Sequence, residues 1–210
     1  MPRPRVVVFD LGKVLLDFDY GRAARRLAPR CHLDEQSIRR LIDQSPLLHQ
    51  LESGRLTDRE FFRAFREAAG HPDDFDGFAR DFADIFDPIP GMIELHRRLA
   101  GTGIPTFIFS NTNPFAIDHI RQEHPFFSRF TDFVLSYEHG AMKPDPDIYQ
   151  VVENKVRSRG PEILYIDDRP ENVEMAATRG WQTILQTDPQ ITAAAIQAAG
   201  LLPAENPGPG

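Results

Sequence analysis

The chain has 210 residues, of which 41% are hydrophobic and 26% are charged, a composition typical of one globular domain or of a domain with a smaller insert. Its formal net charge of −7 argues against nucleic acid or an anionic membrane surface as the main partner. A small anionic ligand is not excluded, because it needs only a local positive site. Cys31 is the single cysteine, which excludes an internal disulfide and favours a reducing compartment.

The sequence has no evident signal peptide or membrane span. The first apolar run, at Val6, is short and is interrupted by Asp10. No uninterrupted apolar run reaches the ~18 residues that a membrane span needs. We therefore expect a cytoplasmic protein without a membrane partner, and nothing in the pattern predicts an oligomeric state.

The first predicted strand lies in the stretch RVVVFDLGKVLLDFD. A run of β-branched and aromatic residues leads directly into Asp10, and Gly12 follows two residues later. The run is almost continuously apolar, which is typical of a strand covered on both faces. A carboxylate at the end of such a strand is a candidate functional group, because ligands of open α/β sheets bind beyond the carboxyl ends of the strands.

The segment after this strand, residues 20–86, shows helical patterns and no convincing strand. TDREFFRAFREAAG begins with a predicted capping box, and DDFDGFARDFADIF repeats phenylalanine at helical spacing. We interpret these aromatic stripes as hydrophobic core. The segment is therefore predicted to be a helical cap inserted into a core of residues 1–19 and 87–203, and residues 204–210 are predicted to be disordered.

Strands and helices alternate through the rest of the chain. Further β-rich runs occur at IPTFIFSN, TDFVLS, EILYIDD and WQTILQT. Helical patterns occur around them, at residues 91–100, 114–122, 146–156, 170–178 and 189–199. This alternation predicts an α/β fold with a Rossmann-like, doubly wound parallel sheet.

Polar and charged groups lie at four predicted strand ends or in the loops beyond them. They are Asp10, the pair Ser110 and Asn111, Lys143, and the pair Asp167 and Asp168. Each group alone is typical of an ordinary cap, turn or solvated surface. Together they would supply a nucleophile, hydrogen-bond donors, a cation and a metal site at one edge of the sheet, which turn chemistry alone does not explain.

The order and spacing of these groups resemble the haloacid dehalogenase superfamily, in particular its phosphatase branch with a helical cap after the first motif. VVVFDLGKVLLDFD is similar to the first motif, FIFSNTN to the second, GAMKPDPDIY to the third and YIDDRPENVEMAATRGW to the fourth. The chain most resembles sugar-1-phosphate phosphatase-like members, some of which also open with aspartate, any residue and glycine. It departs from the usual phosphatase pattern at Gly12, where that pattern has a second acid.

The resemblance implies a Mg²⁺-dependent phosphatase of a small phosphorylated metabolite, such as a sugar phosphate, that works through an aspartyl-phosphate intermediate. Asp10 would be the catalytic nucleophile, kept ionised by Lys143 and the divalent ion. The implied Mg²⁺ ligands are Asp10, the backbone carbonyl of Gly12 and Asp168, with Asp167 as a further ligand or an outer partner.

The resemblance also implies which groups bind the phosphoryl oxygens. These are Ser110, the amide of Asn111, the ammonium of Lys143 and backbone amides directly after Asp10, in the region of Gly12. Lys143 is thus expected both to bind the substrate and to take part in catalysis.

Two alternatives stay open at this point. One is a 2-haloacid dehalogenase-type hydrolase, which is disfavoured because those relatives usually carry tyrosine at the position of Gly12, and because Asp167 and Asp168 favour a metal. The other is a catalytically weak or non-enzymatic binding member, because Gly12 offers no proton to the departing oxygen. Primary-alcohol phosphates would then be poor substrates unless another acid, such as Asp17, a cap residue or the substrate itself, supplies the proton.

Overall fold

The structure is a computed structural model that describes residues 2–203, so the predicted disordered tail at 204–210 lies outside the described residues. In chain order its elements are β1 (Val6–Phe9), β2 (Leu16–Phe18), α1 (Tyr20–Leu27), α2 (Glu35–Asp43), α3 (Pro46–Glu52), α4 (Asp58–Ala69), α5 (Phe75–Ala83), β3 (Phe86–Pro88), α6 (Pro90–Ala100), β4 (Thr106–Ser110), α7 (Pro114–Glu123), β5 (Asp132–Leu135), α8 (Pro146–Val156), β6 (Ile163–Asp167), α9 (Pro170–Thr178), β7 (Gln182–Leu185) and α10 (Pro189–Ala198). Short 3₁₀ turns link several of them.

Five of the strands form a parallel sheet in the order β5-β4-β1-β6-β7. The chain moves outward from β1 in one direction through β4 and β5, and then in the other through β6 and β7. The predicted doubly wound α/β fold is therefore confirmed. In such a sheet the crevice for ligands lies where the winding reverses, which is at the carboxyl ends of β1 and β6.

Strand β1 is apolar throughout because both faces of the sheet are covered. Val7 and Phe9 lie in the hydrophobic core shared with α6, α7 and α10, whereas Val6 and Val8 lie in the core shared with α8 and α9. Successive side chains of a strand point to opposite faces, so a strand buried on both faces must be apolar at every position. The first polar position after the run, Asp10, thus comes where the chain leaves the two cores.

The helices of the α/β core begin and end within one residue of the predicted bounds. Each begins with proline, which suits the first turn because proline lacks the N–H that a first turn leaves unpaired. Within residues 2–203, no helix combines the length and the apolar character needed to cross a bilayer.

Two short strands, β2 and β3, are a feature that the sequence reasoning missed. They pair antiparallel, with Asp17 opposite Asp87. Each carboxylate has a cation beside it, since Asp17 pairs with Lys13 and Asp87 pairs with Arg22. A three-residue strand centred on aspartate has neither the length nor the residue types that indicate a strand.

The chain between β2 and β3 consists of α1–α5 and one short 3₁₀ turn. The predicted capping box of Thr57 and Glu60 is present at the start of α4. The phenylalanine stripes of α4 and α5 are buried in a hydrophobic cluster, as their interpretation as core requires. We propose that these helices form the cap predicted for residues 20–86.

One residue of the α/β core enters this cap cluster. Phe115, on α7, is buried, and its ring centroid lies 5.2 Å from that of Phe82, 5.7 Å from that of Phe78 and 6.0 Å from that of Phe61. Aromatic pairs at these separations contribute packing energy beyond the area that they bury. The cap and the core therefore share a hydrophobic contact and are not joined only by the two strands.

This contact leads to a test of how strongly the cap is held. Phe115→Ala is expected to lower the free energy of unfolding by about 3–5 kcal/mol, because it leaves a cavity between the α/β core and the cap. Ile191→Ala, at a side chain that is 60% exposed, is the control and should change it by less than about 0.5 kcal/mol. Urea denaturation followed by circular dichroism measures both. Equal effects would mean that Phe115 does not tie the cap to the core.

Candidate active site

Three carboxylates meet at the carboxyl ends of β1 and β6. Asp10 directly follows β1, Asp167 is the last residue of β6, and Asp168 comes next. These two strands are parallel neighbours in the sheet, which brings their ends side by side. One carboxylate oxygen from each of the three residues lies within 4.8 Å of the others. The predicted acidic cluster is therefore assembled by the order of the strands.

Lys143 reaches this cluster from the loop that precedes α8. Its Nζ lies 2.8 Å from Asp10 Oδ1 and 2.7 Å from Asp167 Oδ2, and it donates to the Phe109 carbonyl oxygen at 2.9 Å. The ammonium thus has three oxygen acceptors around it. The lysine lies far from both aspartates in the chain but links the ends of three adjacent strands.

The pKa values of Lys143 and Asp10 follow from their burial and from the charges beside them. Burial alone would lower the pKa of Lys143, but the carboxylates of Asp10 and Asp167 raise it above its ordinary value. For Asp10, burial raises the pKa to about 7 although the ammonium opposes the change. The expectation of an ionised Asp10 therefore depends on a bound cation as well as on the lysine.

Asp167 is held by the fold on every side. Its carboxylate accepts hydrogen bonds from Lys143, from the backbone N–H of Arg169 at 2.8 Å, from Asn172 Nδ2 at 3.1 Å and from the Tyr165 hydroxyl. Burial opposes ionisation, yet these donors lower the pKa of Asp167 below its ordinary value. The side chain is therefore ionised and holds the lysine in place, and both of its oxygens already accept hydrogen bonds.

Asp168 is in the opposite situation. Burial and the neighbouring Asp167 carboxylate raise the pKa of Asp168, and its side chain faces the cleft. An incoming cation would relieve this repulsion. Of the acidic pair, Asp168 is thus the residue whose oxygens are directed toward a ligand.

Asn111 and Ser110 follow one another at the end of β4 but have different surroundings. Asn111 lines the cleft and pairs with the backbone of Lys143, accepting from its N–H at 2.8 Å and donating to its carbonyl oxygen at 3.0 Å. The hydroxyl of Ser110 is buried and donates to the Asn111 carbonyl oxygen at 3.3 Å. The predicted contacts of both residues with phosphoryl oxygens stay predictions, while the structure adds a role for Asn111 in holding the lysine loop.

The loop after Asp10 approaches the cleft closely. Gly12 lines the cleft, but its backbone is not in the left-handed region. A Cβ placed on Gly12 would lie 2.9 Å from Cε1 of Phe18, so the ring of Phe18 takes the space that a side chain at this position would need. The first of the backbone amides expected to bind phosphate, that of Leu11, donates to Asp10 Oδ1 at 2.7 Å.

The cleft has a volume of about 200 Å³, and most of the predicted site residues line it. Six further residues line it that the sequence reasoning did not assign to the site, namely Lys13, Phe18, Glu52, Met142, Arg169 and Asn172. Arg169 and Asn172 could have been suspected, because they lie in the stretch that begins with the acidic pair. Glu52 belongs to α3 of the cap, and nothing in its local pattern distinguishes it from a surface residue.

A model of the haloacid dehalogenase-like hydrolase family matches residues 4–180. The chain belongs to this family of hydrolases. It is 23% identical over 184 residues to a D-ribitol-5-phosphate phosphatase of Bacteroides thetaiotaomicron, an alignment that covers 84% of this chain and 89% of that protein. It is 25% identical over 191 residues to a sesquiterpene phosphatase of Aspergillus oryzae, with 88% of this chain and 90% of that protein covered.

A solved structure shows the same fold. The haloacid dehalogenase family enzyme from Bacteroides thetaiotaomicron, crystallised with magnesium and inorganic phosphate, superimposes with a TM-score of 0.77 at 24% identity. The match covers 88% of this chain and 94% of that one. The resemblance inferred from the four motifs is therefore confirmed at the level of the family.

The two adjacent aspartates should differ in what they do for stability. Asp167→Ala is expected to cost about 3–5 kcal/mol in the metal-free protein, because it removes one partner of a buried ammonium. Asp168→Ala should change the free energy of unfolding by less than about 1 kcal/mol, since the lost carboxylate is repelled rather than paired. Urea unfolding of the two variants compares them directly. Equal losses would contradict the anchoring role of Asp167.

Proposed function

We propose that this hydrolase is a Mg²⁺-dependent phosphatase of a small phosphorylated metabolite and that it works through an aspartyl-phosphate intermediate. The observation that carries the proposal is the position of Asp10, with its carboxylate beside the Lys143 ammonium at 2.8 Å and within 4.8 Å of the Asp168 carboxylate. A strand-end carboxylate with a cation on one side and an acidic partner on the other is suited to phosphoryl transfer.

The residues fit a divalent cation by charge and by ligand type. When all three carboxylates are ionised, they exceed the Lys143 ammonium among them by two negative charges, and a divalent cation would balance this excess. Carboxylate and carbonyl oxygens are the ligands that Mg²⁺ prefers. Asp10, Asp168 and the carbonyl of Gly12 would hold the ion, with Asp167 as an outer partner because its oxygens already accept from the fold.

Asp10 and Lys143 would carry out the other parts of the reaction. Asp10 Oδ1 accepts from Leu11 and faces Lys143, which leaves Oδ2 as the oxygen without a hydrogen-bond partner among the described residues. Oδ2 would attack phosphorus, and water would later hydrolyse the acyl phosphate. Lys143 would neutralise charge on the phosphoryl oxygens, and bound Mg²⁺ would add further charge compensation.

The size of the cleft supports a small substrate. A volume of about 200 Å³ is below the roughly 300–1,000 Å³ of sites for drug-sized ligands. A phosphoryl group with a short polar leaving group would fill it, and polar residues from both the core and the cap line it. The two phosphatase relatives act, by their names, on a polyol phosphate and on a sesquiterpene phosphate. Of these two classes the polar one, which includes sugar phosphates, suits the cleft better.

The covalent step can be tested by removing the nucleophile. Asp10→Asn is expected to lower the hydrolysis of p-nitrophenyl phosphate in the presence of Mg²⁺ by at least ~10³-fold, because the amide cannot form the intermediate. Asp76→Asn, an exposed change in the cap, is the matched control and should keep full activity. A folded Asp10→Asn protein with near-normal turnover would rule out this mechanism. Halide release from a 2-haloacid by the wild type would instead favour the dehalogenase alternative.

The metal site can be tested without any turnover. Calorimetric titration of Asp168→Asn with Mg²⁺ should show an affinity reduced by at least the ~10–100-fold that loss of an outer partner typically costs. Glu171→Gln is the control, because this nearby acid pairs with Arg169 on the protein surface. Unchanged affinity in Asp168→Asn would place the metal elsewhere.

A further inference from the structure

The phosphatase proposed above lacks a proton donor at the position where the family's usual pattern has one. Gly12 carries no side chain, and the Phe18 ring fills the adjacent space. Phe18 is itself packed against Tyr20 and Phe86, with ring centroids 5.8 Å and 6.2 Å away. Gly12 itself therefore offers no acid at this position of the cleft, and departing alkoxide oxygens need a proton from another residue.

Asp17, the first acid that follows Gly12 in the chain, is poorly suited to the task. It accepts hydrogen bonds from the ammonium of Lys13 and from the backbone N–H of Phe18, and its side chain is 59% exposed. The hydrogen bond from Lys13 is the main cause of a lowered pKa for Asp17. A carboxylate that stays ionised has no proton to donate.

Glu52 has the opposite properties. It is the last residue of α3, and it is one of the residues that line the cleft together with Asp10 and Lys143. Among the described residues its carboxyl group has no hydrogen-bond or ion-pair partner. Burial raises the pKa of Glu52 to about 7, so that a large fraction carries a proton near neutral pH.

The position of Glu52 is fixed by contacts between the cap and the core. Its backbone carbonyl accepts from Ser136 Oγ at 2.5 Å, at the end of β5. Two residues later, Gly54 lies so close to the Tyr137 carbonyl oxygen that an added Cβ would be 2.3 Å from it. Leu51 and Ser53, on either side of Glu52, are buried. The glutamate is thus attached to the strand ends although it belongs to the cap.

We propose that Glu52 is the general acid that protonates the leaving oxygen, and this proposal rests on the phosphatase function proposed above. As Asp10 Oδ2 bonds to phosphorus, the bond from phosphorus to the leaving oxygen breaks and its electron pair stays on that oxygen. The Glu52 proton moves to the oxygen, which leaves as an alcohol. The Glu52 carboxylate then takes a proton from water as the water oxygen attacks phosphorus, which releases inorganic phosphate and restores both side chains.

The test compares leaving groups of decreasing reactivity in the wild type and in Glu52→Gln. The substrates are dinitrophenyl, p-nitrophenyl, phenyl and simple alkyl phosphates, measured as kcat/KM with saturating Mg²⁺ so that the first chemical step is observed. Glu52→Gln should lose ~10²–10⁴-fold on phenyl and alkyl phosphates and little on dinitrophenyl phosphate, which needs no proton. Glu52→Asp, which keeps an acid one methylene shorter, should recover part of the loss and provides a second variant should the glutamine protein fail to fold.

Two controls make the result specific. Glu67→Gln repeats the chemical change on the exposed face of α4, and Asp17→Asn removes the competing acid. Neither should alter the dependence on the leaving group. An equal loss on every ester in Glu52→Gln, no loss at all, or a steeper dependence in Asp17→Asn would each overturn the assignment. If the wild type releases no phosphate from any ester with Mg²⁺, it is the phosphatase function that fails.

Discussion

The structure depends on one buried ammonium. Lys143 lies between the carboxylates of Asp10 and Asp167, and its third acceptor is the carbonyl oxygen of Phe109. Removing three charges from water costs several kcal/mol per ion, and only close, fully hydrogen-bonded geometry repays that cost. The lysine is therefore compatible with the fold only if β4, β1 and β6 end side by side, which is the order that the sheet adopts.

Because the buried ammonium needs this geometry, several neighbouring polar groups form hydrogen bonds with Lys143 or with Asp167. Asn111 forms two hydrogen bonds with the lysine backbone, and Tyr165 and Asn172 donate to Asp167. Tyr165 and Asn172 are buried, Asn111 is half-buried, and all three are hydrogen-bonded, which makes the site rigid. The contrast between the adjacent aspartates follows from it, since Asp167 is an anchor inside the network and Asp168 lines the cleft.

The fold and the acidic cluster could be predicted from the sequence because their signals are local. Apolar runs that end in a carboxylate mark β1 and β6, and prolines mark the starts of the core helices. The sequence left open whether Asp167 is a metal ligand or an outer partner, because this depends on which donors surround each oxygen in three dimensions. Asp167 and Asp168 are the same residue type at adjacent positions, so the sequence does not show that Tyr165 and Asn172 donate hydrogen bonds to Asp167 alone.

The strands β2 and β3 and the cap contact at Glu52 were beyond prediction for different reasons. The strands are short and centred on aspartates, so they carry no apolar alternation. Glu52 is the last residue of the short helix α3, and nothing in its local pattern distinguishes it from a surface residue. Its environment forms only when Ser136, 84 residues further along the chain, donates a hydrogen bond to the Glu52 carbonyl oxygen. The pattern within one segment of the sequence does not predict a contact between two distant segments.

The proposed cap is attached to the α/β core by two contacts. Its phenylalanine cluster receives Phe115 from the core, and the end of α3 contacts the end of β5. A lid that opened freely would have to break both contacts, and each opening would expose the carboxyl of Glu52 to water. Water would return the pKa of this group toward its ordinary value, because burial is what raises it. The packing that holds the cap in place is thus also what keeps a protonated acid at the wall of the cleft, which couples the stability of the cap core to the chemistry proposed for the site.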